Sequence, residues 1–255
     1  MEPLAAPLPT FLIIGAQKSA TRWLRLNLGL HPAVFSASRE IEFFNNGPRY
    51  RDEGLPWYAA QFDGWDGESI VGEATPGYMF WRHRPAVVSE RIEETLPDVR
   101  LLATLRNPID RAQSAMVHHM EHGALPADSV LVDLVRATPP ERDQLGIISG
   151  GWYADSLAPF RERFGDRLLV VLHDDVDDDP RGVYDTALRH VGATPDFVPP
   201  EFERVRFSYQ QQASSEPGRR PLTLEARRTL WNYFAADVAK LEALLGRDLS
   251  MWDPR

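Results

Sequence analysis

Cysteine is absent from all 255 residues, which removes disulfides, thiolate metal sites and cysteine nucleophiles together. Stability must then come from a packed core, which a chain of this length can supply. The same absence fits a reducing compartment. A basic excess is also missing: 37 acidic side chains against 28 basic ones give a net charge of −9. Proteins that hold a polyanion do so largely by neutralising its charge. The balance therefore argues against DNA, RNA and long sulfated polysaccharides, while leaving room for one local positive pocket. No apolar stretch approaches the ~20 residues that span a bilayer. The opening MEPLAAPLPT has no basic n-region, and the apolar run after it is only four residues before Gly15, so it is not a secretory signal. A soluble, cytoplasmic protein is expected, with no membrane span and no nucleic-acid partner.

Apolar residues make up 43% of the chain and charged residues 25%, an ordinary globular balance. Residues 1–9 hold three prolines and read as a flexible leader, leaving 10–255 as one domain. Short apolar runs at 10–14, 69–75, 99–106 and 167–173 read as strands. Helical spacing follows from about Ser19 to Leu30, closed by His31–Pro32, and again over 85–96, from Pro108, over 125–137, 152–164, 181–191 and 223–245. Strands alternating with helices predict an α/β fold with a central, mostly parallel sheet flanked by helices. The connectors 45–68 and 192–222 are long enough to be binding loops or lids.

FLIIGAQKSATRWL (11–24) reads as strand, tight loop and helix. A Walker A loop needs four residues between its first glycine and the Gly-Lys pair. Here only two separate Gly15 from Lys18, and Gln17 precedes the lysine, so that spacing fails. The physics survives: a helix N-terminus offers unpaired N–H groups and a partial positive charge to an anion. Lys18 and the hydroxyls of Ser19 and Thr21 add donors at the same point, a P-loop-like arrangement.

IIGAQKSATRWLRLNLGLHP resembles the 5′-phosphosulfate loop of the sulfotransferases that use 3′-phosphoadenosine 5′-phosphosulfate (PAPS), above all the heparan sulfate N- and 3-O-sulfotransferase branch. The likeness continues in order through REIEFF (39–44), GEATPGYM (72–79), LRNPIDRAQSAMVHH (105–119), HDDVDDDP (173–180) and EPGRRP (216–221). Two departures stand out. Ala20 replaces the usual glycine, so alanine carries strain if that position needs a positive φ, and Arg22 replaces the second threonine of the commonest loop. The late loop is also about one residue shorter than the family form.

The resemblance implies transfer of a sulfuryl group from PAPS to a hydroxyl or amine, leaving PAP. It assigns Glu40 as the base and Lys18 as the clamp on the leaving phosphate, with Glu42 as a competing carboxylate. Gln17, Lys18, Ser19, Ala20, Thr21 and Arg22 would hold the 5′-phosphosulfate, Arg106 and Ser114 the 3′-phosphate, and Gly218, Arg219 and Arg220 the closing loop. Glu42, Tyr78 and His118 would face the acceptor, and Trp57, Trp65 and Trp81 could line an apolar wall. Each role has a plainer reading. Lys18 can be a solvated lysine, Glu40 a partner of Arg39, and Arg106 a partner of Asp110.

Metal is not expected. Adjacent His118 and His119 point apart on a helix, and Asp174–Asp179 lack the glycine and terminal glutamate of a calcium loop. The acidic balance favours a small or medium acceptor, such as a natural product, glycan or lipid, over a heparan-like polymer. The rival readings are a nucleotide kinase or NTPase on a related fold, and a non-catalytic PAP- or PAPS-binding protein.

Overall fold

The computed structural model of the protein describes residues 7–80, 82, 84–139, 142–199, 202 and 221–255. Five strands form one parallel sheet in the order β2-β3-β1-β4-β5: β1 (Phe11–Gly15), β2 (Val34–Ser36), β3 (Ile70–Ala74), β4 (Arg100–Leu105) and β5 (Leu168–Leu172). Central β1 sets Phe11 opposite Gly72 on one side and Arg100 on the other.

The strands are apolar throughout because both faces of the sheet are covered, and alternate side chains enter opposite cores. Leu12, Ile14, Leu101, Ala103 and Leu105 pack on one face with helices α3 (Pro85–Thr95), α4 (Pro108–Glu121), α6 (Tyr153–Phe164) and α10 (Ala235–Leu245). Phe11, Ile13 and Leu102 pack on the other with α1 (Thr21–Leu28) and α8 (Pro180–Val191). The expected α/β architecture is the one observed.

Three local readings change. The 45–68 connector carries helical turns from Arg49 to Phe62, including α2 (Gly54–Ala59), and packs as scaffold. Its aromatic rings lock onto the segment before it: Tyr58 stacks on Phe43 at 4.4 Å and meets Phe44 edge-on at 5.3 Å. The acidic run after β5, given no element of its own above, is a short helix, α7 (His173–Asp178). The long closing helix is two, α9 (Leu224–Trp231) and α10, because a turn drives Phe234 into full burial against Gly151. A further helix, α5, spans Leu131–Ala137.

Crossovers in a parallel sheet bring post-strand segments to one edge, where open α/β sheets bind ligands. Residues 16–20 follow β1, the Glu40 segment follows β2, Thr75–Met79 follows β3 and Arg106 follows β4.

Candidate active site

α1 begins at Thr21, two residues later than its apolar pattern suggests, because the backbone turns through left-handed positions at Lys18 (φ 67°) and Ala20 (φ 73°). Ala20 therefore does occupy the strained conformation that glycine would take freely. It stands where a helix usually carries Ser, Thr, Asp or Asn, and no side chain caps the first turn. The leading amides of α1 are left for a ligand. A second observation points the same way: Ser19 is fully buried and its hydroxyl has no hydrogen-bond partner. The nearby Tyr153 hydroxyl is spent on the Arg106 carbonyl at 2.9 Å, and it approaches Ser19 without reaching bonding geometry. Uncapped amides, a buried orphan donor and Lys18 fit a phosphate group. Thr21 is buried beside them, while Gln17 and Arg22 are exposed.

Gly15 lets the loop press against the segment after β3. A Cβ there would lie 2.9 Å from Met79 Cβ and 3.1 Å from the Pro76 carbonyl. Between these segments opens a cleft of about 210 Å³ whose walls include Gln17, Glu40, Glu42, Phe80 and Arg111. The start of the loop, at Ala16 and Gln17, and both carboxylates thus share one cavity. Among the described residues neither carboxylate forms an ion pair. Arg39 donates to Gln61 at 2.5 Å, which sets aside its pairing with Glu40. Glu40 opens to solvent at the mouth, yet surrounding protein still holds its carboxyl above the usual range. Burial is the main cause, Glu42 adds to it and Arg25 opposes it.

The 3′-phosphate candidates separate from their structural alternatives. Asp110 pairs with Arg227 at 2.6 Å, so it does not hold Arg106. Arg106 is half-buried with no ion pair among the described residues, and Ser114 lies buried in α4. Gly218, Arg219 and Arg220, like Trp81, lie outside the described residues. His118 is close enough to Lys18 to feel its charge. Burial first, then Lys18, His122 and His119, push its pKa down to about 4, so its ring is neutral at pH 7. It also groups with Glu121 and His122, with ligand atoms within 4.8 Å of one another. That i, i+3, i+4 spacing puts the three on one helix face, unlike the adjacent His118–His119 pair.

Two expectations are corrected. Tyr78 is fully buried, and its hydroxyl turns to Glu73 at 2.6 Å, so it supports the wall of the cleft and does not face an acceptor. Trp57 stacks on Phe43, and Trp65 Nε1 donates to the Glu68 carbonyl, so neither lines the cleft.

Sequence reasoning also missed Arg111 and the 142–150 segment. Arg111 is fully buried and donates through one terminal nitrogen to the carbonyls of Gly146, at 2.8 Å, and Ile147. Asp143 ties the same segment by accepting from Ile148 N at 2.6 Å and from Ser149 N at 2.9 Å. The signal available was an arginine among apolar residues on a helix.

A parallel sheet with an anion-holding loop after its first strand, and a carboxylate aimed into the same cleft, defines an α/β group-transfer fold. The chain belongs to the sulfotransferase domain family, whose model matches residues 8–217. It is similar to the human heparan sulfate glucosamine 3-O-sulfotransferase 5, at 36% identity over 48% of this chain and 34% of that protein. It is also similar to the mouse bifunctional heparan sulfate N-deacetylase/N-sulfotransferase 1, at 30% identity over 73% of this chain and 22% of that protein. The chain thus spans between about a fifth and about a third of these relatives. A solved sulfotransferase from Alicyclobacillus acidocaldarius superposes with a TM-score of 0.79 at 28% identity, covering 97% of this chain and 99% of that one. No helix among the described residues is long and apolar enough to cross a membrane.

Proposed function

We propose that the chain, as one domain over 10–255 behind a leader at 1–9, transfers the sulfuryl group of PAPS to a hydroxyl or amine of a compact acceptor. One observation carries this reading: Ala16 and Gln17, which open the anion-holding loop, and the unpaired carboxylate Glu40 line the same cleft. PAPS supplies the sulfuryl group and a phosphate leaving group. Lys18, the Ser19 and Thr21 hydroxyls and the α1 amides would hold the 5′-phosphosulfate, and Arg106 with Ser114 the 3′-phosphate. Glu40 takes the acceptor's proton as the acceptor–sulfur bond forms and the sulfur–phosphate oxygen bond breaks. A carboxyl lifted toward neutrality is a better-matched base than a free one. Lys18 steadies the charge left on the phosphate.

The cleft also limits the acceptor. Two carboxylates face it, and the cation among its described walls, Arg111, is committed to backbone carbonyls. A polysulfated chain would meet like charge there, whereas a compact neutral or amine-bearing acceptor would not. This separates the chain from the heparan sulfate enzymes it is similar to. Absence of cysteine fits the cytoplasm, where we place it.

Calorimetry with PAP, adenosine 5′-phosphosulfate and MgATP tests the cofactor. Micromolar PAP binding that weakens when the 3′-phosphate is missing supports the reading, and tight MgATP binding with indifference to PAP turns it toward a kinase. Glu40→Gln should retain PAP affinity while transfer from PAPS to tyramine, a compact amine-bearing phenol, falls at least about 10²-fold. Unchanged transfer in that variant would remove Glu40 from the chemistry. PAP binding with no transfer in the parent chain would leave a nucleotide-binding protein.

A further inference from the structure

Glu73, the penultimate residue of β3, is fully buried, and the reaction as read above makes no use of it. Its carboxyl accepts three hydroxyls: Tyr78 at 2.6 Å, Thr75 at 2.7 Å and Tyr58 at 3.3 Å. Two of these hydroxyls have a second task. Thr75 Oγ1 accepts from Ile41 N at 3.1 Å and Glu42 N at 3.3 Å, and Tyr78 Oη accepts from Phe43 N at 3.3 Å. Three consecutive amides of the segment next to Glu40 therefore hang on two hydroxyls whose protons both go to one carboxylate.

We propose that Glu73 is the positioning residue of this active site, aiming Glu40 and Glu42 into the cleft through the Thr75 and Tyr78 hydroxyls. The proposal rests on the reading of Glu40 as base.

The direction of the bonds is what makes a carboxylate suitable. Each hydroxyl has one proton, and giving it to Glu73 leaves the oxygen purely an acceptor for amides. A protonated Glu73 would have to donate to one of the same oxygens, turning a hydroxyl proton toward an N–H it should be accepting. Glu42 shows that the segment needs holding. Its φ of 53° is a conformation that a side-chain-bearing residue leaves unless its surroundings fix it. The Arg49 guanidinium grips the opposite edge through the carbonyls of Ile41 at 2.9 Å and Glu42 at 3.4 Å.

The titratable groups facing Glu73 are Tyr58 from α2, Tyr78 from the turn after β3 and, through space, Glu40. Burial and the neighbouring Glu73 drive both tyrosine pKa values well up, so they remain donors. Burial lifts Glu73 itself to about 7, against its three hydroxyl bonds, with Glu40 raising it further. The positioning bonds should therefore tighten as pH rises through neutrality.

Isosteric variants keep the test independent of folding. Thr75→Val and Tyr78→Phe should each lower kcat for transfer to tyramine about 10-fold, within the ~10²-fold that a 1 Å misplacement can cost. PAP affinity and the KM for PAPS should stay within about twofold, and amide hydrogen exchange at Ile41–Phe43 should accelerate. Tyr58→Phe removes a Glu73 partner that touches none of those amides, so kcat should hold. Glu73→Gln should match the two relay variants and lose the rise in kcat between pH 6 and 8. Wild-type kcat and exchange in both relay variants, alongside an inactive Glu40→Gln, would overturn the positioning role alone. Full activity in Glu40→Gln would overturn the reading beneath it.

Discussion

Arg106 shows how one side chain can be sorted between structure and function. A residue that braces the fold costs stability when cut, and one that waits for a ligand costs affinity. Among the described residues its guanidinium forms no ion pair and Tyr153 engages only its main-chain carbonyl, so Arg106 belongs to the second kind. Arg106→Ala should weaken PAP binding about 10-fold or more, the worth of a charge-assisted hydrogen bond, while thermal unfolding moves little. Equal affinity in calorimetry would place the 3′-phosphate elsewhere. Lys18, Glu40 and Arg106 were legible because they stand in short polar segments after apolar strands. Glu73 and Arg111 were not, since a charged residue inside an apolar stretch shows its burial and its partners only once the chain has folded.

At the scale of elements, strand continuity explains what was readable. β1, β4 and β5 are apolar runs long enough to announce themselves, whereas β2 is three residues, Val34–Ser36, and carries no periodicity. Helix starts were less legible. α6 lacks its own cap and borrows one from α10, whose Asp237 accepts from Ala154 N at 3.1 Å. Such a cap joins residues 83 positions apart in sequence. The β1–β3 pairing has a comparable hidden requirement, because the Phe11 ring lies where a Cβ on Gly72 would sit. Gly72→Ala should destabilise by about 1–3 kcal/mol, the usual cost of overpacking a core. A thermal midpoint lower by at least about 2 °C would show it, and an unchanged midpoint would mean that the ring has room to move.

For the whole molecule, pH sets stability against activity through Glu73. Its pKa is raised from 4.5 to about 7, so between those values the folded chain binds the extra proton. Stability contributed by this group is full at low pH and declines as pH rises through that window. At ~1.4 kcal/mol per unit the loss approaches about 3 kcal/mol by pH 8. His118 works in the opposite sense. With its pKa lowered to about 4, it adds stability as pH rises from about 4 to 6.5. The comparison that isolates Glu73 is the difference in thermal midpoint between the wild type and Glu73→Gln, which should shrink or reverse between pH 5 and 8. A constant difference would mean that Glu73 titrates near its ordinary value. The ionised state that weakens the fold is the one that holds the base segment.

By itself the sequence determined the class of fold and the chemistry of the loop. Apolar strands alternating with helical patterns leave few layered solutions, and a lysine with hydroxyls at a helix start is a local, short-range arrangement. The likeness of successive motifs in order then pointed to one family. Tertiary structure alone decided which carboxylates share the cleft, that Tyr78 faces inward and that Glu73 gathers three hydroxyls. Those facts depend on strands 30 to 60 residues apart lying side by side in parallel register, such as Phe11 against Gly72 and Val34 against Ile70. Hydrogen bonding between segments so distant leaves no periodic trace in the chain.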